Sequence, residues 1–392
     1  MPTRATKRGH ERTPLDRDCD VLICGASFAG LAVARELAAT GADVLIIDRY
    51  EIGERQTSAC GIPTTWLTAL ELEEALQQTF GELVLHTPHT TVRYDLPWTF
   101  STFDYRTLCG ALAAQGRFEF ETAAVQGRSA GADRLASSPD AELGGVLTDR
   151  GVIRAPLIVD ALGWRRVLGT GANIQPPDAL LSRGLEVHPF GGGQDLEVWI
   201  DRSYVPAGYG WSFPAGEEVR IGVGSFDPRF HVREPTVRLA RDLDADTVRY
   251  QGNWIPHALR PATDDGIFFA GDSAGHCLPL TAEGIRTALY FGLACGRELA
   301  RVIAGEQTRA EALARYHQFS AGHAVPFEWM LRVQRLVPRV APRLLAPSLR
   351  AMGAKRFVDW SFDHYLNVAH PAFAAAGGTA APAATRTAPA PV

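Results

Sequence analysis

The sequence predicts an α/β domain built on a parallel sheet, interleaved with an antiparallel β domain and followed by C-terminal helices. Two short buried strands, at residues 20–24 and 43–48, flank a helical pattern, and a third buried strand returns far along the chain at 266–270. Between about 176 and 260, short segments alternate between apolar and polar residues, which is typical of antiparallel strands.

The composition suits a large folded protein in a reducing compartment. The chain has 392 residues, of which 46% are hydrophobic, and a net charge of −5, so no nucleic-acid partner is expected. Its six cysteines are scattered, which argues against a disulfide framework and a metal site. The N-terminus lacks an apolar signal region and no run of about 20 apolar residues occurs, so we expect a cytoplasmic protein without a membrane span.

The first strand–helix–strand unit carries a glycine-rich turn. Gly25, Ser27 and Gly30 form a G-x-S-x-x-G pattern, a helix is expected over about 29–40, and Asp48 ends the second strand. The helix N-terminus can hold a pyrophosphate, and the Asp48 carboxylate can accept hydrogen bonds from a ribose. The unit predicts a Rossmann-like dinucleotide site, with an ordinary βα turn as the alternative. Ser27 replaces the usual middle glycine, and its β-carbon leaves less room for the backbone to approach a phosphate.

The loop over 49–63 is too polar and too often interrupted by glycine for a core element. We expect it to leave the sheet edge near the cofactor. Cys60 precedes Gly61 there, and its thiol is either a functional group beside the cofactor or a small buried residue. A helix is expected over about 64–78, and alternating strands over 83–100.

The segment after these strands contains a possible phosphate ligand. Asp104 is a candidate N-cap of the next helix, and Arg106 on that helix is either a phosphate ligand or a surface arginine. A strand is expected over 118–125, followed by a segment at 126–143 that has no clear pattern. A buried strand ends at Asp160.

An aromatic motif lies in the antiparallel region. Its aromatic residues occupy every second position, so on a strand they share one face and form an apolar wall. A wall packed against another sheet is the alternative, but the proline and the two later glycines favour the close approach of a ligand. The motif residues are Tyr209, Trp211, Phe213, Pro214, Gly222 and Gly224.

A second cofactor motif follows the returning strand. Gly271 and Asp272 can bring a carboxylate to a sugar-alcohol hydroxyl, and a helix beginning at Gly284 and Ile285 can face a group that becomes anionic. A reduced flavin carries such a charge near its pyrimidine edge. Two motifs so far apart in the chain enclose one extended cofactor, which favours FAD over NAD.

The C-terminal helical region is strongly basic. Between 327 and 358 it carries seven Arg and Lys residues and one acid, Glu328, with apolar residues between the charges. The region is either an amphipathic surface that contacts an anionic membrane or a helical cap with a solvated basic face. Residues 371–392 are expected to form a disordered tail.

Taken together, these motifs resemble the glutathione-reductase-type FAD fold, in the subgroup with para-hydroxybenzoate hydroxylase, over roughly residues 18–305. The Y-x-W-x-F-P…G-x-G run at 209–224 is similar to the substrate-domain motif of the geranylgeranyl reductase family. That resemblance implies an enzyme that uses reduced FAD to saturate isoprenoid double bonds, in an apolar tunnel walled by this motif. Cys60 falls where the family places a cysteine beside the flavin.

The resemblance also implies site residues. The substrate-binding residues would be the six of the aromatic motif, and the one candidate catalytic residue is Cys60, with a water as the alternative proton donor. The expected cofactor-binding residues are Gly25, Ser27, Phe28, Ala29, Gly30, Asp48, Arg49, Cys60, Gly61, Arg106, Val125, Gly271, Asp272, Gly284 and Ile285.

The expected domain organisation is discontinuous. Both the FAD-binding domain and the antiparallel substrate domain are assembled from separate stretches of chain. The expected boundaries are a flexible arm at 1–17, an FAD-binding domain at 18–82, 101–175 and 261–305, a substrate domain at 83–100 and 176–260, helices at 306–370 and a tail at 371–392.

The sequence also suggests three alternative functions. A flavin monooxygenase shares the fold, so the fold does not separate hydroxylation or epoxidation from reduction. A flavin halogenase would need an active-site lysine, and the only two lysines, Lys7 and Lys355, lie near the chain ends. A flavin-binding module without catalysis is a further alternative. The electron donor is expected to be NADPH or a ferredoxin, and Asp160-Ala161, where the hydroxylases have Asp-Gly, puts nicotinamide handling in doubt.

Three histidines have two interpretations each. They are either acid–base residues of the site or ordinary core and loop histidines, and the second interpretation is favoured. The three are His188, His257 and His276.

Overall fold

A computed structural model describes residues 13–56, 58–129, 144–170, 178–352 and 355–375. The strands are Arg17–Asp18 (β1), Val21–Cys24 (β2), Val44–Asp48 (β3), Gly61–Pro63 (β4), Leu76–Thr87 (β5), Thr90–Phe103 (β6), Glu119–Thr122 (β7), Val125–Arg128 (β8), Gly144–Thr148 (β9), Gly151–Ala155 (β10), Leu157–Asp160 (β11), Leu181–Val187 (β12), Leu196–Trp199 (β13), Gly208–Ala215 (β14), Glu218–Ser225 (β15), Gln251–Pro256 (β16), Thr263–Asp264 (β17) and Ile267–Phe269 (β18). The helices are Phe28–Leu37 (α1), Thr64–Ala69 (α2), Tyr105–Ala114 (α3), Arg233–Asp242 (α4), Ile285–Ile303 (α5), Arg309–Ala321 (α6), Ala324–Leu336 (α7), Pro342–Met352 (α8), Lys355–Asn367 (α9) and Ala372–Ala375 (α10).

The parallel sheet has six strands in the order β17-β18-β11-β2-β3-β7, and only β17 runs antiparallel to its neighbour. Strand β2 is buried along its whole length, which explains its continuous apolar sequence. Helix α1 connects β2 to β3, as the glycine-rich turn predicted. It ends at Leu37, three residues before the expected position, where Thr40 donates its hydroxyl to the Leu37 carbonyl oxygen.

The larger sheet has eight strands in the order β16-β12-β15-β14-β13-β5-β6-β4. Its pairings are antiparallel except for the parallel contact between β13 and β5. The predicted α/β architecture with an antiparallel region and C-terminal helices is therefore confirmed. A smaller sheet, in the order β1-β10-β9-β8, completes the strands.

The prediction of a helix over 64–78 is wrong beyond Ala69, where α2 ends. Glu71 adopts a left-handed conformation with φ of 56°, which an α-helix cannot accommodate, and Leu70 and Leu72 on either side are fully buried. Leu76 already pairs with Phe103 in the larger sheet. The hairpin of β5 and β6 thus begins seven residues before the expected boundary at 83.

Both expected flexible ends are partly ordered. Arg17, at the end of the expected arm, bonds to Asp43 and Glu119, and Leu15 is buried. In the expected tail, Phe373 packs its ring against Tyr290 at a centroid distance of 4.4 Å. Apolar burial outweighs the low-complexity composition at these positions. Residues 1–12, 130–143 and 376–392 lie outside the described residues, and with them most of the predicted arm, unpatterned segment and tail.

Helices α1 and α5 pack side by side in the same direction. A β-carbon at Gly292 would lie 2.6 Å from the carbonyl oxygen of Ala29, and one at Gly296 would lie 2.7 Å from that of Val33. The two glycines let the backbones approach closely, because a larger side chain would collide with α1. Since the contact moves four residues along α1, from Ala29 to Val33, as it moves four residues along α5, the helices run in the same direction and their N-termini point to the same end of the parallel sheet.

Candidate cofactor and substrate site

The turn between β2 and α1 accepts only glycine at two positions. Gly25 has φ of +112°, and a β-carbon there would lie 2.3 Å from the carbonyl oxygen of Ala161. A β-carbon at Gly30 would lie 1.9 Å from the carbonyl oxygen of Gly25. These contacts hold the start of α1 against the ends of β2 and β11, where a nucleotide phosphate can reach the helix N-terminus.

Ser27 does not cap α1, although it occupies the N-cap position. Its hydroxyl lies 3.2 Å from the Tyr105 hydroxyl, and no described side chain caps the helix. Helix α5, which begins after Gly284, likewise lacks a side-chain cap among the described residues. Asp104 caps α3 and Thr308 caps α6, whereas α2, α4 and α7 resemble α1 and α5 in having no side-chain cap within the described ranges. The two parallel helices of the predicted cofactor site are thus left with amide groups available to an anionic ligand.

The two carboxylates predicted to bind the cofactor, Asp48 and Asp272, lie at or just after the ends of β3 and β18. Asp48 accepts hydrogen bonds from the backbone amides of Ala26 at 2.9 Å and Tyr50 at 3.1 Å. Burial raises the pKa of Asp48, while these two amides oppose the shift. Asp272 follows Gly271, whose β-carbon would lie 3.0 Å from the Ala29 side chain. The second carboxylate therefore lies beside the start of α1, and the two cofactor motifs are brought together.

Cys60 is fully buried in a strained turn. Its φ is 54°, its thiol donates to the Ser58 carbonyl oxygen at 3.2 Å, and its own carbonyl oxygen accepts the Phe103 amide. Burial raises the pKa of the thiol well above its usual range, so it carries its proton at neutral pH. Cys60 is therefore a weak acid rather than a reactive thiolate, and its catalytic role stays a prediction.

The remaining predicted cofactor residues are spread around this centre. The Phe28 ring meets Tyr105 edge-on at 5.5 Å, which fixes the first turn of α1 against α3. Arg106, on α3, packs its backbone under Gly53 of the preceding loop. Arg49 lies over the Tyr50 ring, Gly61 begins β4, and the Val125 side chain packs against the main core.

The aromatic motif forms the predicted row on β14. Tyr209, Trp211 and Phe213 are partly buried on one face of the strand, and successive ring centroids are 6.0 and 6.4 Å apart. The Tyr209 hydroxyl donates to the Thr281 carbonyl oxygen at 2.5 Å. Because Thr281 lies three residues before Gly284, the row of rings reaches the start of α5.

The glycines of the motif are contacted by the Trp211 indole and not by the ligand that the sequence predicted. A β-carbon at Gly222 would lie 2.2 Å from the Trp211 indole, and one at Gly224 would lie 3.4 Å from it. Gly184, on the next strand, lies under the same ring at 3.5 Å. The close approach that these glycines permit is therefore made by Trp211 itself, which lies flat on a floor of three glycines.

A cavity of about 350 Å³ adjoins the aromatic row. Phe226 belongs to its wall, and the Phe226 ring is 5.9 Å from Tyr209. Helix α7 supplies Leu331 and Arg335 to the same cavity, and Leu180 lies at its rim with 59% of its surface exposed. Phe226 thus contacts both the aromatic row and this cavity, whose opposite wall is formed by the C-terminal helices.

Several polar residues near the row escaped sequence reasoning. Arg220 is fully buried and donates to the carbonyl oxygens of Ala59 and Phe103, which ties β15 to the Cys60 turn. Glu186 also escaped it, and forms a buried pair beside Trp211 with His188, one of the three histidines for which the sequence left two interpretations. Because side chains alternate along a strand, Arg220 lies on the same face of β15 as Gly222. No sequence signal indicates that β15 lies next to the Cys60 turn.

Two of the predicted histidines are ordinary buried residues. His276 stacks on Phe291 at 3.8 Å and its Nε2 lies 2.9 Å from the Ser320 hydroxyl. His257 lies 2.8 Å from the Ser182 hydroxyl, and burial lowers its pKa to about 4. Burial lowers the pKa of His276 as well, so both imidazoles favour the neutral form that the core interpretation implies.

We expect Gly30→Ala to lose FAD binding and to destabilise the fold by about 1–3 kcal/mol or more, because its β-carbon overlaps the Gly25 carbonyl. Flavin content after purification and urea denaturation measure the two effects. Gly110→Ala, at a helix position with no atom within 4 Å of the added carbon, is the matched control and should keep its flavin. A Gly30→Ala protein with full flavin content would contradict the placement of the cofactor.

Comparison with known proteins supports FAD as the cofactor. A family model described as an FAD binding domain matches residues 18–78. The chain is 25% identical to digeranylgeranylglycerophospholipid reductase 3 of Methanosphaera stadtmanae over 337 residues, which are 78% of this chain and 83% of that protein. The predicted resemblance to geranylgeranyl reductases is therefore confirmed.

Solved structures share the fold. A geranylgeranyl bacteriochlorophyll reductase-like protein of Thermoplasma acidophilum superposes with a TM-score of 0.77 over 92% of this chain and 98% of that one, at 15% identity. PqsL of Pseudomonas aeruginosa, a probable FAD-dependent monooxygenase, superposes with a TM-score of 0.62 over 88% of this chain and all of that one, at 16% identity. The fold thus serves proteins of more than one named activity.

Proposed function

Because the chain resembles the geranylgeranyl reductase family of FAD-dependent oxidoreductases over most of its length, we propose that it reduces carbon–carbon double bonds of a prenyl or similarly apolar substrate. The observation that carries this proposal is the partly buried row of Tyr209, Trp211 and Phe213, which runs to the start of α5. An apolar wall at that position suits a long unsaturated chain laid against the flavin.

In this function the chain's residues hold the cofactor as follows. The uncapped start of α1 binds the pyrophosphate, and Asp48 binds the adenosine ribose. Asp272 meets the ribityl side, and the uncapped start of α5 faces the pyrimidine edge of the flavin. Reduced FAD, when bound, supplies the hydride. The aromatic row orients the alkene and keeps water away from it.

FAD affinity is expected to rise as the pH increases through about 6. Burial raises the pKa of Asp272 to about 6, against the opposing charge of Arg260. A sugar hydroxyl donates to a carboxylate but not to a protonated acid in the same way, so cofactor binding favours the ionised form. Below pH 6 the affinity should fall by up to about tenfold per pH unit, because a proton must first be released.

Flavin fluorescence titrations between pH 5 and 8 measure this effect. Asp272→Asn lacks the titrating group and should bind FAD with an affinity that does not change across this interval. A wild-type affinity that stayed constant from pH 5 to 7 would contradict the assignment of Asp272 to the ribityl side.

The reduction itself is tested without oxygen. The purified flavoprotein is reduced with dithionite and incubated with digeranylgeranylglycerophospholipid or geranylgeraniol, and mass spectrometry follows the products. A gain of two hydrogens per double bond supports the proposal. A gain of one oxygen atom, seen only in air with NADPH, would instead make the chain a monooxygenase. NADPH and a reduced ferredoxin, each added in place of dithionite, identify the electron donor.

We also propose that the C-terminal helices contact an anionic membrane surface. None of the helices in the described ranges combines the length and the apolar character that crossing a bilayer requires. Large apolar side chains are nevertheless more than half exposed on α7, α8 and α9, among exposed basic residues and beside the cavity rim. The apolar residues are Val325, Trp329, Leu336, Leu344 and Trp360, and the basic ones are Arg332, Arg339, Arg343, Arg350, Lys355 and Arg356.

Vesicle sedimentation tests this contact. The protein should bind phosphatidylglycerol vesicles more tightly than phosphatidylcholine vesicles, and salt should weaken the binding. Replacing Trp329 and Trp360 together by serine should weaken it at least about tenfold. Phe190→Ser, which removes an 80% exposed ring outside these helices, is the control. Equal binding to both vesicle types would contradict the proposal.

A further inference from the structure

A buried acid–base pair lies beside the aromatic row. Glu186 and His188 are 4% and 2% exposed, and Glu186 Oε1 lies 2.9 Å from His188 Nε2. The other carboxylate oxygen, Oε2, accepts the indole N–H of Trp211 at 3.2 Å. A hydrogen-bonded chain therefore runs from His188 through Glu186 to the central ring of the proposed substrate wall.

The sheet register explains why the acid meets the indole directly. Glu186 and Trp211 are both paired with Gly222, from opposite sides of β15, and Gly184 is paired with Gly224 in the adjacent row. Since Gly222 has no side chain, nothing on the intervening strand separates the carboxylate from the indole. The glycine floor thus brings an ionisable group to the surface along which a substrate would lie.

The surroundings of the pair hold a proton on it. Burial alone lowers the pKa of His188, but Glu186 and Glu218 outweigh this effect and raise it. Glu218 Oε1 lies 3.5 Å from His188 Nδ1, and Glu218 also contacts Arg220 at 3.1 Å and Arg249 at 3.1 Å.

The thiol of Cys60 completes the set of titratable groups around the pair. The charges of both Arg220 and Glu186 act on it. The cluster therefore brings two carboxyl groups and two guanidinium groups around the His188 imidazole, whose raised pKa favours a proton on it, while burial keeps the Cys60 thiol protonated.

We propose that Glu186 and His188 deliver the proton of the reduction, with Glu186 as the acid next to the substrate. This inference rests on the proposed reductase function. One alkene carbon receives the hydride and its two electrons. The other receives the single proton of the pair, which passes from the His188 imidazolium to the Glu186 carboxylate and, as the new O–H bond of Glu186 breaks, on to that carbon. The neutral imidazole left at His188 is then reprotonated from solvent. The alkene gains two hydrogens, and the flavin alone is oxidised.

Other acids near the site are already engaged. The Glu283 carboxylate bonds Arg286 and the Tyr365 hydroxyl, and Asp272 stands at the sugar side of the cofactor. The Cys60 thiol, with its high pKa, is a poorer proton donor than an imidazolium. Among the described residues beside the aromatic row, Glu186 is the carboxyl group that combines contact with the wall and a buried partner able to return its proton.

The test compares two glutamate–histidine pairs of the same sheet. Glu197 lies 2.9 Å from His86 Nε2, but it is paired with Ser212 and thus points to the opposite face from Trp211. Reduced holoenzyme is mixed anaerobically with geranylgeraniol, and flavin reoxidation and product mass are followed. E186Q should be slower than wild type by at least about 100-fold, the effect of losing a general acid, while E197Q should stay within about twofold. E186Q within threefold of wild type would overturn the proposal.

A second readout does not depend on turnover. NMR titration of the His188 imidazole in flavin-free protein should show a raised pKa that falls in E186Q. In wild-type holoenzyme the reduction rate should decline as the pH rises through the His188 pKa, since the pair then loses its proton. A rate that is flat across that pKa would overturn the proposal even if E186Q fails to fold. A wild-type enzyme that reduces no prenyl substrate would instead refute the proposed function.

Discussion

Trp211→Ala is expected to lower kcat/KM for prenyl reduction by about 100-fold while FAD stays bound. The indole covers Gly184, Gly222 and Gly224. Its loss removes the centre of the wall and exposes three glycines that have no side chains to contact the substrate. Losing the burial of a large aromatic ring corresponds to about 2–3 kcal/mol, or about 30- to 150-fold in rate. The cofactor residues lie on other elements and keep their contacts.

Trp199→Ala provides the matched control for this substitution. Trp199 is paired with Gly210, so it lies on the opposite face of the sheet, where it stacks on His86 at 4.7 Å. It should leave the turnover of prenyl lipids close to that of the wild type. Flavin content is measured on both variants, and a Trp211→Ala protein that had lost its flavin would refute the assignment of Trp211 to the substrate wall.

Arg286→Ala is expected to destabilise the protein by about 3–5 kcal/mol. Arg286 is fully buried in the first turn of α5, where it pairs with Glu283 at 2.7 Å and donates to the Leu366 carbonyl oxygen at 2.8 Å. Removing the guanidinium leaves the Glu283 carboxylate buried without its cationic partner and takes one donor away from the last carbonyls of α9. The cost is large because those groups cannot reach water instead.

Arg301→Ala is the comparison for this variant. Arg301 pairs with Glu298 at the same three-residue spacing on the same helix, but nearer to solvent, so its removal should cost no more than about 1 kcal/mol. Urea denaturation followed by circular dichroism measures both. Equal midpoints for the two variants would show that Arg286 does not anchor the C-terminal helices.

The parallel sheet and the cofactor turn could be predicted because their signals are local. Gly25 and Gly30 are required by contacts within a few residues or with the adjacent strand, and the continuous apolar run of β2 reflects burial on both faces. The period-two spacing of the aromatic row likewise determines which side chains share a face. Each of these features depends on short stretches of chain.

The features that sequence reasoning missed depend on pairings between distant segments. Glu186 meets Trp211 because β12 and β14 both flank β15, and the sequence does not specify that order. Glu71, which ends α2 early, gives no local signal, because a glutamate ordinarily favours helix. Phe373 is ordered by rings contributed by α5 and α6, although its own neighbours in sequence resemble a tail.

The interleaving of the two sheets has a consequence for biosynthesis. Strand β18 and helix α5 complete the cofactor side of the fold, yet they begin only at Ile267 and Ile285, and α5 is then anchored by carbonyls as late as Ala369. A nascent chain that has emerged only as far as the aromatic row has the first glycine turn but neither Asp272 nor the second helix. Flavin binding therefore has to follow the synthesis of most of the polypeptide. Until β18 has been synthesised, the edge of β11 that pairs with it stays without a neighbouring strand.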